Sequence, residues 1–255
     1  MTKSELANAI AEARKKGQQI ELPAQEPPFD MNDAMDIQRM AFEKFGSLSV
    51  GWKVGATNEA AQKNFGIDGP FYGPMARSGV VQSGANMQMT PCIGAMEPEY
   101  AFKLARDFPV AGEEITEHSA ADAVEGVHIA IEMIGRCVGN AQWANGIGVT
   151  MDFGGNAAFV IGDEIKTWQD QDLVSTVVES MIDGEVVQTG NGEPVMGAPI
   201  KSLIWMAQQL AQNGQCLKAG RWVSTGTCTP PVPAEAGRTL SAKFGDFGTV
   251  SVSLT

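Results

Sequence analysis

The chain has 255 residues, of which 44% are hydrophobic, enough for a sizeable core in one large domain or two small ones. Its formal net charge of −12 and pI near 4.6 repel polyanions, and no Lys/Arg stripe relieves that field, so no nucleic-acid partner is expected. No apolar stretch reaches the roughly 20 residues that span a bilayer, and the start "MTKSELANAIAEARKKG" lacks an apolar signal core, which predicts a cytoplasmic protein without membrane contact.

The first 45 residues read as helical. Ser4 is placed to cap a helix whose Leu6, Ile10 and Ala13 share a face, and Asn32 to cap a second with Ala34, Ile37, Ala41 and Phe45 at helical spacing. Between them, "LPAQEPPFD" is a Pro-rich connector. From "LSVGWKVGAT" onward strand and turn signals dominate. A short helix is expected over 119–126, with Ser119 and Asp122 as a capping box. The clearest helix runs over 199–213, opened by Pro199, striped by Ile200, Leu203, Ile204, Ala207, Leu210 and Ala211, and ended by Gly214. The tail "RTLSAKFGDFGTVSVSL" alternates by two across a Gly-Asp-Phe-Gly turn and reads as a closing hairpin. Strands and helices do not alternate as βαβ units, and "TGNGEPVMG" and "ANGIG" lack the strand, GxGxxG and helix order of a nucleotide site. These signals predict an α+β protein with a small helical N-terminal part over 1–48 and a strand-rich body over 49–255 that forms one structural unit.

Two histidines, His118 and His128, leave little material for Ser-His-Asp triads or His-rich metal sites. The four cysteines, Cys92, Cys137, Cys216 and Cys228, have no CxxC spacing and read as reduced structural thiols. Chemistry then has to come from carboxylates, lysine, backbone amides or a hard cation. In "MEPEYAFKL" the period of two puts Glu97, Glu99, Ala101 and Lys103 on one strand face, with Tyr100, Phe102 and Leu104 on the other. The two glutamates either lie on a solvated face or share a divalent ion that removes their repulsion. Glu132, inside the apolar run "VHIAIEMIGR", is a candidate third carboxylate because an unpaired charge there is costly.

The stretches "VGWKVGAT", "MEPEYAF", "VHIAIEMIGR", "GAPIKSLIWMAQQLAQNG" and "LKAGRWVSTGTCTPPVPAEAGRTLSAKFGDFGTVSVSL", in this order, resemble the 2-keto-4-pentenoate hydratase / 4-oxalocrotonate decarboxylase group of the fumarylacetoacetate hydrolase superfamily. The resemblance implies a mixed β-sandwich or roll, and Mg²⁺ or Mn²⁺ bound by Glu97, Glu99 and Glu132. It implies a small 2-oxo acid or 2-hydroxydienoate substrate, lyase chemistry of aromatic catabolism, and homo-oligomers, dimeric or larger. Lys53 would lie near the substrate, and Thr225 and Gly226 of "STGTC" would line the pocket together with Asp152 and Gly155.

The sequence also departs from the hydratase pattern. In "GIDGPFYGPM", Phe71 stands where hydratases of the group commonly have an acid/base aspartate, and Tyr72 follows it; the decarboxylase branch resembles this version more closely. Gly155 replaces a pocket serine, and Ala198 a histidine. Asp68 and Tyr72 are the nearby candidates for proton transfer, although Asp68 before Gly-Pro also reads as a loop former and Tyr72 as a packing aromatic. Two other outcomes stay open: a carbon–carbon bond hydrolase acting on an acylpyruvate, and a metal- or ligand-binding paralogue without turnover.

Overall fold

The computed structural model describes residues 1–24 and 29–255; the middle of the Pro-rich connector, 25–28, lies outside the described residues. The first helix, α1 (Lys3–Lys16), starts after Thr2, whose side chain accepts from the Glu5 N–H while the Glu5 carboxylate accepts from the Thr2 N–H. The second, α2 (Met31–Phe45), repeats this reciprocal cap with Asp30 and Asp33. Each cap therefore lies two residues before the Ser4 and Asn32 expected. Spacings T-x-x-E and D-x-x-D satisfy two orphan backbone donors at once, where Ser4 or Asn32 alone would satisfy one. Leu6, Ile10, Ala34, Ile37 and Ala41 face inward and pack with Val138, Trp143, Met151 and Phe153.

The body follows as β1 (Ser49–Gly55), α3 (Glu59–Phe65), β2 (Phe71–Ala76), β3 (Val80–Gln82), β4 (Ala85–Met87), β5 (Ala95–Leu104), α4 (Glu117–Asp122), β6 (Val124–Ile134), α5 (Gly146–Met151) and β7 (Asn156–Glu164). Then come β8 (Val178–Ile182), β9 (Glu185–Gly190), α6 (Pro199–Gln212), β10 (Trp222–Thr227), β11 (Val232–Pro233), β12 (Thr239–Phe244) and β13 (Thr249–Leu254). One mixed sheet has the order β2-β1-β10-β5-β6-β7-β3, with β11 added beside β5; the other runs β4-β13-β12-β8-β9. Tyr100, Phe102, Ile129 and Val160 of the first meet Leu240, Phe244, Val250 and Val252 of the second, and Leu203, Met206 and Leu210 of α6 close the same core. This is the expected α+β body. No described helix is long and apolar enough to cross a membrane.

Two expectations are corrected. The short helix α4 is capped by Thr116, not Ser119, and ends at Asp122, because Ser119 serves as the third helical residue that bonds back to Thr116; Val124 already begins a strand. Cys92 and Cys137 form a disulfide, with Cα atoms 4.8 Å apart, while Cys216 and Cys228 are free. The antiparallel register of β5 and β6 pairs Ala95 with Ile134. Continued outward by three residues, it sets Cys92 opposite Cys137. Forty-five residues of sequence separation hide that proximity from any spacing rule.

Candidate metal centre

The same register pairs Glu97 directly with Glu132 and places Glu99 opposite Ala130. Strand alternation points all three side chains to one face, away from the core that holds Tyr100 and Phe102. One carboxylate oxygen from each of Glu97, Glu99 and Glu132 lies within 4.8 Å of the others. Glu99 and Glu132 are fully buried and Glu97 is half-buried, so the solvated-face alternative does not hold for this strand. Lys53, from β1, is 3% exposed and sets its Nζ 3.2 Å from Glu132 Oε2. Its ammonium also lies 5.3 Å from the Phe71 ring centroid, a cation–π contact that helps hold it in the wall.

Neighbouring groups fix two of the carboxylates. Ser224 Oγ donates to Glu99 Oε2 at 2.5 Å, and the Gly226 N–H donates to the same oxygen at 3.0 Å. Gly226 has φ +110°, and a Cβ there would approach the Thr57 side chain to 2.7 Å, so only glycine lets the backbone turn its N–H inward. Asn156 Nδ2 donates to Glu132 Oε1 at 2.8 Å. Glu99 Oε1 and Glu132 Oε2 remain buried with no hydrogen-bond donor; Lys53 is close to the latter without the alignment of a hydrogen bond. Buried acceptors without donors are costly, and a cluster of hard oxygen ligands with free lone pairs is what Mg²⁺ or Mn²⁺ prefers. The residues present therefore fit a divalent ion.

Charge in the cluster is tightly balanced. Burial pushes Glu97 up to about 7, with Lys53 pulling it down and Glu132 pushing it further up. Burial also raises Glu99 well above the ordinary carboxylate range, aided by Glu132 and Glu97. Burial opposes the charge on Lys53, but Glu132, Glu97 and Glu99 together outweigh it and raise its pKa.

The cluster opens onto a cavity of about 380 Å³ whose wall includes Lys53, Glu97, Phe71, Gly155, Gly226 and Arg136, a size that suits a small organic acid. Phe71 stacks edge-on against Phe65 in that wall. Other expected site residues lie elsewhere. Tyr72 points to the opposite sheet face, between Trp52 and Trp205, because strand alternation sends it away from Phe71. Asp68 is exposed in the loop before β2. Thr225 is fully buried and donates from Oγ1 to Tyr100 O, again by alternation from its neighbours Ser224 and Gly226. Asp152 is buried and bonded to Arg14 Nε and to the N–H groups of Cys137 and Val138; it braces the wall without lining it. Ala198 precedes α6 in a separate groove beside Glu117 and His118. His128 bonds through Nδ1 to Gly162 O and packs on Trp222.

Sequence reasoning missed Ser224, Asn156, Arg14 and Arg136. Arg14 carried a usable signal, since it sits four residues after Ile10 and seven after Ala7 on the buried stripe of α1, and its side chain is 7% exposed. Besides Asp152, it donates to the backbone oxygen of Asn156.

Comparison with known proteins agrees with this architecture. Residues 56–255 match the model of the fumarylacetoacetate (FAA) hydrolase C-terminal family. The chain is 30% identical over 213 residues to a 2-keto-4-pentenoate hydratase of Burkholderia vietnamiensis, covering 82% of this chain and 79% of that protein. It is 28% identical over 230 residues to a 4-oxalocrotonate decarboxylase of Pseudomonas putida, covering 88% and 86%. The solved structure of the 4-oxalocrotonate decarboxylase from Pseudomonas putida G7, complexed with magnesium and adipate, superposes with a TM-score of 0.89 at 26% identity, covering 99% of this chain and 97% of that one. The chain belongs to the fumarylacetoacetate hydrolase family, within its group of 2-keto-4-pentenoate hydratases and 4-oxalocrotonate decarboxylases.

Proposed function

We propose that the protein is a divalent-metal-dependent lyase that acts on a small 2-oxo-enoate or its 2-hydroxydienoate tautomer. The observation that carries this reading is the trio Glu97, Glu99 and Glu132, with oxygens within 4.8 Å and two buried acceptors lacking donors, beside a cavity of substrate size. A bound Mg²⁺ or Mn²⁺ supplies a Lewis acid for a chelating 2-oxo acid. Ser224 and Gly226 aim the Glu99 carboxylate, and Asn156 does the same for Glu132. Lys53, kept charged by the three carboxylates, presents a preorganised cation to the negative charge that develops on a substrate oxygen. Phe71 and Phe65 make the wall beside Lys53 apolar, which strengthens that interaction by excluding water.

Hydration and decarboxylation share this electron-withdrawing site and differ in proton handling. Hydration needs a group that places and deprotonates water, whereas loss of carbon dioxide needs mainly a sink for the electrons left behind. Phe71 occupies the wall at the position where hydratases of the group commonly have an acid/base aspartate, and the candidates Asp68 and Tyr72 lie off it, which favours decarboxylation. Neither histidine lines the cavity, so the hydrolase alternative has no water-activating pair. The same reading carries a cytoplasmic homo-oligomer, dimeric or larger; light scattering on the purified chain measures that size, and a monomer would contradict it.

Purified protein with Mg²⁺, incubated separately with 2-hydroxypenta-2,4-dienoate and with 4-oxalocrotonate, tests the function by absorbance loss and carbon dioxide release. Turnover that stops on chelation is expected, with carbon dioxide released from the second substrate. Failure to consume either would overturn the lyase reading.

A further inference from the structure

A second groove, of about 600 Å³, is lined by the end of α1, the turn that carries Cys92, and Cys137, a volume within the range of small-molecule sites. Its charged lining residues are Arg14, Lys15 and Lys16; among the described residues no carboxylate lines it, although the chain carries a net charge of −12. Arg14 pairs with Asp152 and Lys15 with Glu12, while Lys16 has no ion-pair partner among the described residues. Cys92 and Cys137, joined by the disulfide, both belong to this wall. We infer that the groove is a docking and exchange site for a small anionic thiol, which reversibly opens the Cys92–Cys137 bond and so loosens the wall of the metal-side cavity.

The exchange transfers two electrons. The thiolate attacks the sulfur of Cys92, the more exposed of the pair at 6% against 1%. A bond forms between those sulfurs, the Sγ–Sγ bond breaks, and Cys137 leaves as a thiolate that takes a proton from water. A second thiol then attacks the mixed disulfide, frees Cys92 as a thiol and departs as the symmetric disulfide, so two small thiols are oxidised while the cystine is reduced. That symmetric disulfide is the oxidant for the reverse direction. Three cations without a lining carboxylate attract an anionic thiol and favour the thiolate that leaves. The effect reaches the other cavity through the backbone: Pro91 lies just before Cys92, Gly94 two residues after it and Arg136 just before Cys137, and all three line the cavity beside Lys53 and Glu97. Other bonds persist when the disulfide opens. The Gly94 N–H donates to Ile134 O at 2.8 Å and the Cys137 N–H to Asp152 Oδ2 at 2.6 Å, and Glu97 and Glu132 remain paired within the β5–β6 ladder. Opening therefore frees the Cys92 turn while the metal ligands stay in register.

The exchange is independent of the lyase reading, and only its consequence for 2-oxo acids rests on it. In the full chain, Cys216→Ser removes the half-buried free thiol; the protein is equilibrated with reduced and oxidised glutathione, quenched with acid and weighed by intact-mass spectrometry. A single-glutathione adduct and then the dithiol are expected as reduced glutathione is raised, with closure on adding the oxidised form and unchanged circular dichroism. Glutathione should open the bond at least about tenfold faster than cationic cysteamine, once each rate is scaled to its rate with a free disulfide. Lys15→Gln combined with Lys16→Gln should abolish that preference. By calorimetry on the Mg²⁺-loaded protein, the dithiol form should bind 2-oxopentanoate about tenfold more weakly than the disulfide form, the cost of re-ordering one long side chain, with Mg²⁺ affinity within about twofold. A bond that excess reduced glutathione leaves closed, or that opens only as the chain unfolds, would overturn the inference. Equal scaled rates for the two thiols would remove the groove from it, and equal 2-oxopentanoate affinity in both forms would remove the coupling. If neither form binds 2-oxopentanoate, the lyase reading fails while the exchange result stands.

Discussion

Ser224 and Asn156 do not line the cavity, yet each directs its side chain at a carboxylate of the cluster. Such supporting bonds orient ligands and set their basicity, and their removal lowers metal affinity by about 10–100-fold. Ser224→Ala and Asn156→Leu should each weaken Mg²⁺ binding by this amount in calorimetric titrations, with circular dichroism unchanged. The pH dependence has a definite sign. Glu97 is raised from 4.5 to about 7 and Glu99 is raised as well, so the folded metal-free chain holds protons that the unfolded chain gives up in that window. Metal-free stability should therefore fall as pH rises from about 4.5 towards 7. Mg²⁺ has to displace the same protons, so its affinity should rise with pH across that interval; melting temperatures with and without Mg²⁺ on either side of it check both trends. At this scale Glu97 and Glu99 were legible from strand alternation, but alternation alone left them equally suited to a solvated face. Ser224 lay inside the Thr-Gly stretch and Asn156 just after Gly155, and nothing in their spacing marked them, because their partners come from strands far away in the chain.

Among the elements, the β5–β6 pair fixes most of the site. One register sets Glu97 against Glu132 and, just beyond the strand ends, Cys92 against Cys137. The disulfide therefore clamps the two chain segments that carry Gly94 and Arg136 into the cavity wall. Closing a 45-residue loop stabilises by about 2–4 kcal/mol in the chain-entropy account. Cys92→Ser, or full reduction, should lower unfolding free energy by about that much in urea titrations and weaken binding of 2-oxo acids more than binding of Mg²⁺. The type of nearly every long element was readable from capping spacing or periodicity, as Pro199 and the stripe of α6 illustrate. Strand partners were not, since pairing depends on which apolar faces meet. That single unknown hid both the disulfide and the position of Thr225, whose side chain turns into the core.

Across the whole molecule, the helical part over 1–48 and the strand-rich body share a core: Leu6, Ile10, Ala34 and Ile37 pack on Trp143, Met151 and Phe153. Arg14 joins the two electrostatically by its contacts with Asp152 and with the backbone of Asn156. Removing one partner of such a buried pair leaves an uncompensated charge and costs about 3–5 kcal/mol. Arg14→Met should destabilise by that amount, lower Mg²⁺ affinity through Asn156, and leave a single unfolding transition in calorimetry. Two separate transitions in the parent protein would show instead that the two parts fold apart. The consequence reaches practical choices about where to cut and splice. A fragment trimmed to 56–255, the span matched by the family model, discards both Lys53 and Arg14, and with them one wall of the pocket and the outer brace of its carboxylates. A chimera that borrows its leading helices from a relative inherits a working pocket only if the donor brings its own arginine to the end of α1, because that guanidinium is where the leading segment meets the chemistry.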